Sequence, residues 1–105
     1  MTTIIRIKAR KGPKIRIYYE PVGQPRFRAR LKQLRQDGWA VRVRRINAER
    51  EIAYLWRAAK ARYGKNYFSG IYIPRLGCAL TAWQCEGLAM DADLAVRGYG
   101  SLCVD

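Results

Sequence analysis

The sequence predicts an α+β domain. It reads as a small two-layer sandwich whose antiparallel sheet follows a β-β-α-β-α order, with helices on one face and a basic opposite face. Two observations carry this. Cations alternate with apolar residues through "IIRIKARKGPKIRIYYE", residues 4–20, and again through "WAVRVRRI", residues 39–46. Two intervening stretches repeat their apolar residues at helical spacing, with Gly, Pro and Asn at the joints.

Residues 3–10 and 14–19 read as antiparallel strands joined at Lys11-Gly12-Pro13. Read by alternation alone, one face carries Ile5, Ile7, Ile15, Ile17 and Tyr19. The other carries Arg6, Lys8, Arg10, Lys14, Arg16 and Tyr18. The stretch "EPVGQP", 20–25, is a turn-rich link, and Pro25 suits a first helical position, where no backbone N–H is needed. Phe27, Leu31 and Leu34 then form the buried stripe of a helix ending near Asp37-Gly38. In the third strand Trp39, Val41 and Val43 point one way, and Arg42 and Arg44 the other. Asn47 is a good N-cap, with Glu49 and Glu51 in the first turn, where the helix dipole favours acids. Ala48, Ile52, Leu55, Trp56, Ala59 and Tyr63 continue an amphipathic helix towards Gly64.

Residues 66–74 are expected to form a fourth strand, because Tyr67, Phe68, Ile71, Tyr72 and Ile73 favour strands. Residues 78–90 read as a helix apolar on most sides and weakened by Gly87. Asp91 is expected to cap a short last helix ending at Gly98. "GIYIPRLGCAL", 70–80, resembles the strand-then-loop segment of macrodomains, which bind ADP-ribose. That family's Gly-rich phosphate loop and parallel-sheet opening are absent upstream, so its function is not carried over. With no repeat or linker, residues 1–105 are read as a single domain. Its basic part spans about 1–64, and an apolar, slightly acidic part spans about 66–105 and packs on it. A mostly apolar segment of this kind is either the second wall of the core or a contact with another chain, as in a homodimer.

Charge dominates the composition. Twenty-one Lys and Arg face eight Asp and Glu, a net +13. Twenty of those cations precede residue 77, where only Glu20, Asp37, Glu49 and Glu51 oppose them. Beyond it Arg97 faces Glu86, Asp91, Asp93 and Asp105. Such a field opposes compaction through self-repulsion, so a polyanionic partner is expected. No apolar run approaches a membrane span and the N-terminus has no signal-peptide pattern. Three cysteines without paired spacing fit a reduced compartment. A cytoplasmic protein with no membrane partner is the expectation.

The chain has no histidine, which removes the usual general base and the most common zinc ligand. Cys78, Cys85 and Cys103 lack CxxC spacing and read as small apolar residues. Most of the carboxylates have roles at helix ends; Glu20 alone has no ready structural role, and one acid makes no metal site. No catalytic residue, metal or cofactor is therefore expected.

On the basic face Arg6, Lys8, Arg10, Lys14, Arg16, Arg42 and Arg44 are expected to line up opposite the helices, with Tyr18 among them to stack on an unpaired base. Arg28, Lys32 and Arg35 add a helical stripe. A solvated sheet face ordinarily mixes both signs of charge, and like charges on neighbouring strands are destabilising. The function expected is a small basic nucleic-acid-binding protein, DNA or RNA, of a kind that suits a phage or mobile element. The alternative is a non-enzymatic inhibitor or adaptor docking on an acidic or nucleic-acid-binding surface of a host enzyme.

Overall fold

A computed structural model describes residues 1–100. Among them β1 (Thr3–Lys11), β2 (Lys14–Pro21), α1 (Pro25–Gln36), β3 (Ala40–Asn47) and α2 (Ala48–Lys60) follow in the expected β-β-α-β-α order. The chain continues with β4 (Ile71–Ile73), β5 (Cys78–Leu80) and α3 (Ala82–Val96). The α+β class and the antiparallel sheet stand, with strands in the order β2-β1-β3 and β4-β5 as a separate two-stranded ribbon. Pro25 opens α1. Asn47 caps α2, its side chain accepting from the Arg50 N–H at 3.0 Å.

The first hairpin corrects the face assignment. Lys11 pairs with Lys14 across a two-residue turn, and Gly12 takes φ +59° there. A positive φ at the first turn position suits the right-handed strand twist, and only glycine adopts it without strain. Two residues in the turn reverse the parity of the alternation. Lys8 lies opposite Ile17, Arg6 opposite Tyr19 and Ile7 opposite Tyr18. Ile5, Ile7 and Ala9 therefore share a side with Lys14, Arg16 and Tyr18. Ile4, Arg6, Lys8 and Arg10 share the other with Ile15, Ile17 and Tyr19.

Both sides are covered. Leu34, Trp39, Phe27, Leu31 and Val41 pack on Ile5, Ile7, Ala9 and Tyr18, which places α1 on one side. On the other, Ile4, Ile17 and Tyr19 join Leu55 and Ala59 of α2, Ile73, Leu76 and Cys78 of the β4–β5 ribbon, and Cys85, Ala89, Ala92 and Ala95 of α3. The expected arrangement, all helices on one face, gives way to helices divided between two.

The C-terminal part also departs from its reading. The fourth strand is three residues long, and pairing with Cys78–Leu80 makes an antiparallel ribbon, unlike the segment it resembled. One helix replaces the expected two. It starts after Thr81, whose hydroxyl accepts from the Gln84 N–H while the Gln84 amide reaches back to the Thr81 N–H. This reciprocal cap sets the start. Asp91 lies inside α3, not at a cap. Cys78 and Cys85 are buried on different elements, and Cys103 lies outside the described residues.

Two buried carboxylates hold the layers together. Glu51 of α2 is 2% exposed; its Oε2 accepts from Arg6 Nη1 at 2.7 Å and from the Tyr19 hydroxyl at 2.8 Å. Arg75, in the β4–β5 turn, pairs with Oε1 at 3.6 Å. Glu20, fully buried on the opposite side, accepts from Arg30 Nε of α1 at 2.5 Å. Gly100 packs so tightly against Glu20 that a β-carbon there has no room. Glu20, left without a role by the sequence, thus ties α1 to β2, with Gly100 packed against it.

Two outcomes are expected in urea unfolding. Glu51→Ala leaves the Arg6 charge buried and unpaired, at a cost of about 3–5 kcal/mol; replacing Arg6 and Glu51 together by leucine should cost much less. Burial raises the Asp91 carboxyl above its usual pKa, with Arg30 opposing. The folded state then binds this proton more tightly than the unfolded chain, so ionised Asp91 is destabilising above the folded pKa and the penalty fades as pH falls through it. Asp91→Asn should raise stability at neutral pH, with the gain shrinking as acid is added.

Candidate nucleic-acid interface

The register distributes the expected cations unequally. Arg6 is buried on Glu51 and offers no guanidinium to a ligand. Tyr18 is 2% exposed and covered by the Arg30 guanidinium, 4.4 Å from the ring centroid, so no base can stack on it. Both leave the candidate contact set for one reason: each occupies a sheet position beneath a helix.

The remaining sheet cations gather at one end. β1 finishes and β2 begins at the Gly12-Pro13 turn, and β3, antiparallel to β1, starts beside it. On the α2–α3 side Lys8 pairs across β1–β3 with Arg42, and exposed Arg10 lies opposite Ala40. Exposed Arg44 sits one pair further in, opposite Arg6. On the α1 side Lys14 and Arg16 project near Trp39. The Arg16 guanidinium lies 4.3 Å and the Lys11 ammonium 5.9 Å from the indole centroid. Cations over an indole face are attracted to its quadrupole, which orders both side chains.

Lys11, Gly12, Lys14, Arg16, Asp37 and Trp39 enclose a basin of about 590 Å³. Lys11 Nζ donates to the Asp37 carbonyl at 2.7 Å. The Asp37 carboxylate is engaged by the Gln33 amide at 3.1 and 3.2 Å. Lys8, Arg10, Lys11, Lys14, Arg16 and Arg42 thus form a cationic collar around the free end of the sheet. Lys8 to Lys11 spans about 10 Å of strand.

The collar also meets the β4–β5 turn. At Gly77, with φ +68°, a β-carbon would lie 2.6 Å from Lys8 Nζ. The backbone requires glycine there, whereas the lysine ammonium, at the end of a flexible side chain, can move aside. Cys78 next to it has its thiol pKa raised by burial, with Lys8 and Arg10 pulling it down.

Arg28, Lys32 and Arg35 are exposed on α1, away from the Leu34 stripe, and form the expected second basic surface. Sequence reading passed over Lys11 and Trp39. The signal available was "KGPK", a lysine on each side of a tight turn, and an indole at the start of the adjoining strand.

Among the described residues no three of Cys, Asp and Glu stand together as metal ligands, and no helix is long and apolar enough to cross a membrane. Compared with protein-family models, curated proteins and solved structures, the chain matches none.

The collar geometry itself is testable. Gly77→Ala puts a side chain on strained backbone and displaces the Lys8 ammonium, and should destabilise the fold through the backbone. Adding Lys8→Ala to it should recover little of the loss, because the ammonium can move aside. Urea midpoints of the two single variants and the double variant measure this.

Proposed function

We propose that the protein binds nucleic acid through its phosphates, without catalysis, at the hairpin end of the sheet. One observation carries the reading. Lys8, Arg10, Lys11, Lys14, Arg16 and Arg42 converge at that end, where Asp37 is the acid lining the basin and is already hydrogen-bonded by Gln33. Like charges so placed repel one another unless a polyanion lies between them. The contacts are to backbone, not base edges: the collar offers point charges and forks suited to phosphate oxygens. DNA and RNA share that chemistry.

A second reading has its own support. Phe68 is 80% exposed, with Trp83 and Tyr63 exposed as well. Exposed aromatics of this size mark protein contacts, which favours the adaptor or inhibitor reading. If it holds, a single acidic protein survives nuclease treatment when the chain is purified at low salt, and nucleic acid does not co-purify.

Binding of labelled duplex and single strand should depend steeply on salt. Five collar contacts to duplex phosphate correspond to a slope of log K on log salt of about −4.5. Reversing Arg10, Lys14 and Arg42 to Glu should abolish binding at moderate salt. Reversing Arg28, Lys32 and Arg35 removes as much charge, but should weaken binding mainly through the long-range field, which salt screens. A larger loss from the helix triplet, or a flat salt response, overturns the collar assignment.

A further inference from the structure

A second cavity lies between the end of α2 and the β4–β5 ribbon. It measures about 330 Å³, near the lower end of small-molecule sites. Tyr54, Arg57, Ala58 and Arg62 form one wall, and Tyr72, Ile73 and Pro74 the other. None of these residues belongs to the collar. The lining brings two phenol rings, an apolar floor and two guanidinium groups together.

The arginines are the informative part. Cations near a helix C-terminus ordinarily complement its dipole, and exposed Arg57 and Lys60 do so in the last turn of α2. Arg62 is different. It is 8% exposed, its Nη1 donates to the Ala58 carbonyl at 2.5 Å, and its Nε finds no acceptor among the described residues. A buried guanidinium without a carboxylate is unusual, because burying an unpaired charge is costly. Arg57 likewise has no ion-pair partner among the described residues. Glu51, whose partner Arg75 stacks on Tyr54 of the cavity wall, is taken by Arg6, Tyr19 and Arg75. Arg75, outside the lining itself, stacks 4.3 Å from the Tyr54 ring centroid.

An anion satisfies the guanidiniums, but a bare phosphate leaves the aromatic lining without a partner. Tyr72 is 61% exposed beside the cavity, so its ring is free to cover a flat group. A planar base carrying a phosphate meets both demands. The position agrees. Pro74 lines the cavity and Gly77 touches Lys8 of the collar, and three residues of chain span at most about 11 Å. A strand held on the collar can therefore enter the cavity within a few nucleotides.

We propose that this cleft is a nucleotide subsite, which stacks one unpaired base against Tyr72 and places its phosphate on Arg57 and Arg62. The inference rests on the nucleic-acid reading and adds a preference for single strands.

The test is anisotropy of a labelled short oligothymidylate and of a duplex of equal length, at one moderate salt concentration. Wild type, Tyr72→Ala and Arg57→Ala are compared. Both side chains are exposed, and unchanged urea midpoints verify folding. Tyr72→Ala should weaken the single strand about fivefold or more, the loss of one stacked base. Arg57→Ala should also weaken it, and neither should alter the duplex. Equal losses on both ligands, or no loss on the single strand, overturn the subsite and leave the collar standing. If polyglutamate binding responds to the two substitutions and the oligonucleotide does not, the cleft takes an acidic protein and the subsite is wrong. Wild type binding neither nucleic acid removes the collar reading and the subsite with it.

Discussion

A single buried carboxylate sets the arrangement of this fold. Glu51 projects from the first turn of α2 and is met by Arg6 from β1, Tyr19 from β2 and Arg75 from the β4–β5 turn. Four elements thus converge on one side chain. An isolated carboxylate so deep would be intolerable, and so would Arg6; each is acceptable only with the other in place. The hydroxyl of Tyr19 completes the set, and its own ionisation is suppressed by burial and by the neighbouring Glu51 charge. Leu55 and Ala59 of α2 add apolar contacts to the same core. The Glu20–Arg30 pair repeats the device on the other side, where it anchors α1.

These pairs also sort the cations into two populations. Arg6 and Arg30 hold layers together and add nothing to the external field beyond what their partners cancel. Arg62 is buried as well, Arg75 pairs with Glu51, and most of the others face outward and crowd one another. Compaction of so basic a chain works against that repulsion, and the two internal acid–base pairs are where attraction is strongest, because water screens it least. The small residues of α3, Ala89, Ala92 and Ala95, let α2 approach closely and add apolar burial without charge. Glu86, Asp91 and Asp93 lie on this helix, which moderates the field on that side of the molecule.

The β4–β5 ribbon connects the stabilising network to the surfaces. Arg75 in its turn belongs to the Glu51 cluster and stacks on Tyr54, Pro74 lines the cleft, and Gly77 seats Lys8. Pro74, Arg75 and Gly77 of one short turn thereby touch the second cavity, the Glu51 cluster and the collar. A change at the turn is felt at all three, so mutations there need a stability measurement beside any binding measurement.

The sequence by itself determined the local elements. Alternation located the three strands of the main sheet, Pro25 and Asn47 marked two helix starts, and the excess of Lys and Arg pointed to a polyanion. These signals act over a few residues and survive any tertiary arrangement. It did not determine which side chains share a face, because that depends on whether the Lys11–Lys14 turn holds an even or an odd number of residues. One residue more would move Lys14 and Arg16 to the side of Lys8 and Arg10. The helix start at Thr81 was readable from its Thr-x-x-Gln pattern and was masked by the apolar run around it. Burial of Arg6 and Tyr18, and convergence of Tyr54, Arg57 and Arg62 on Tyr72, were decided only by tertiary structure. They depend on where α1, α2 and the β4–β5 ribbon come to rest on the sheet, and no spacing within the chain encodes contacts between residues so far apart in sequence.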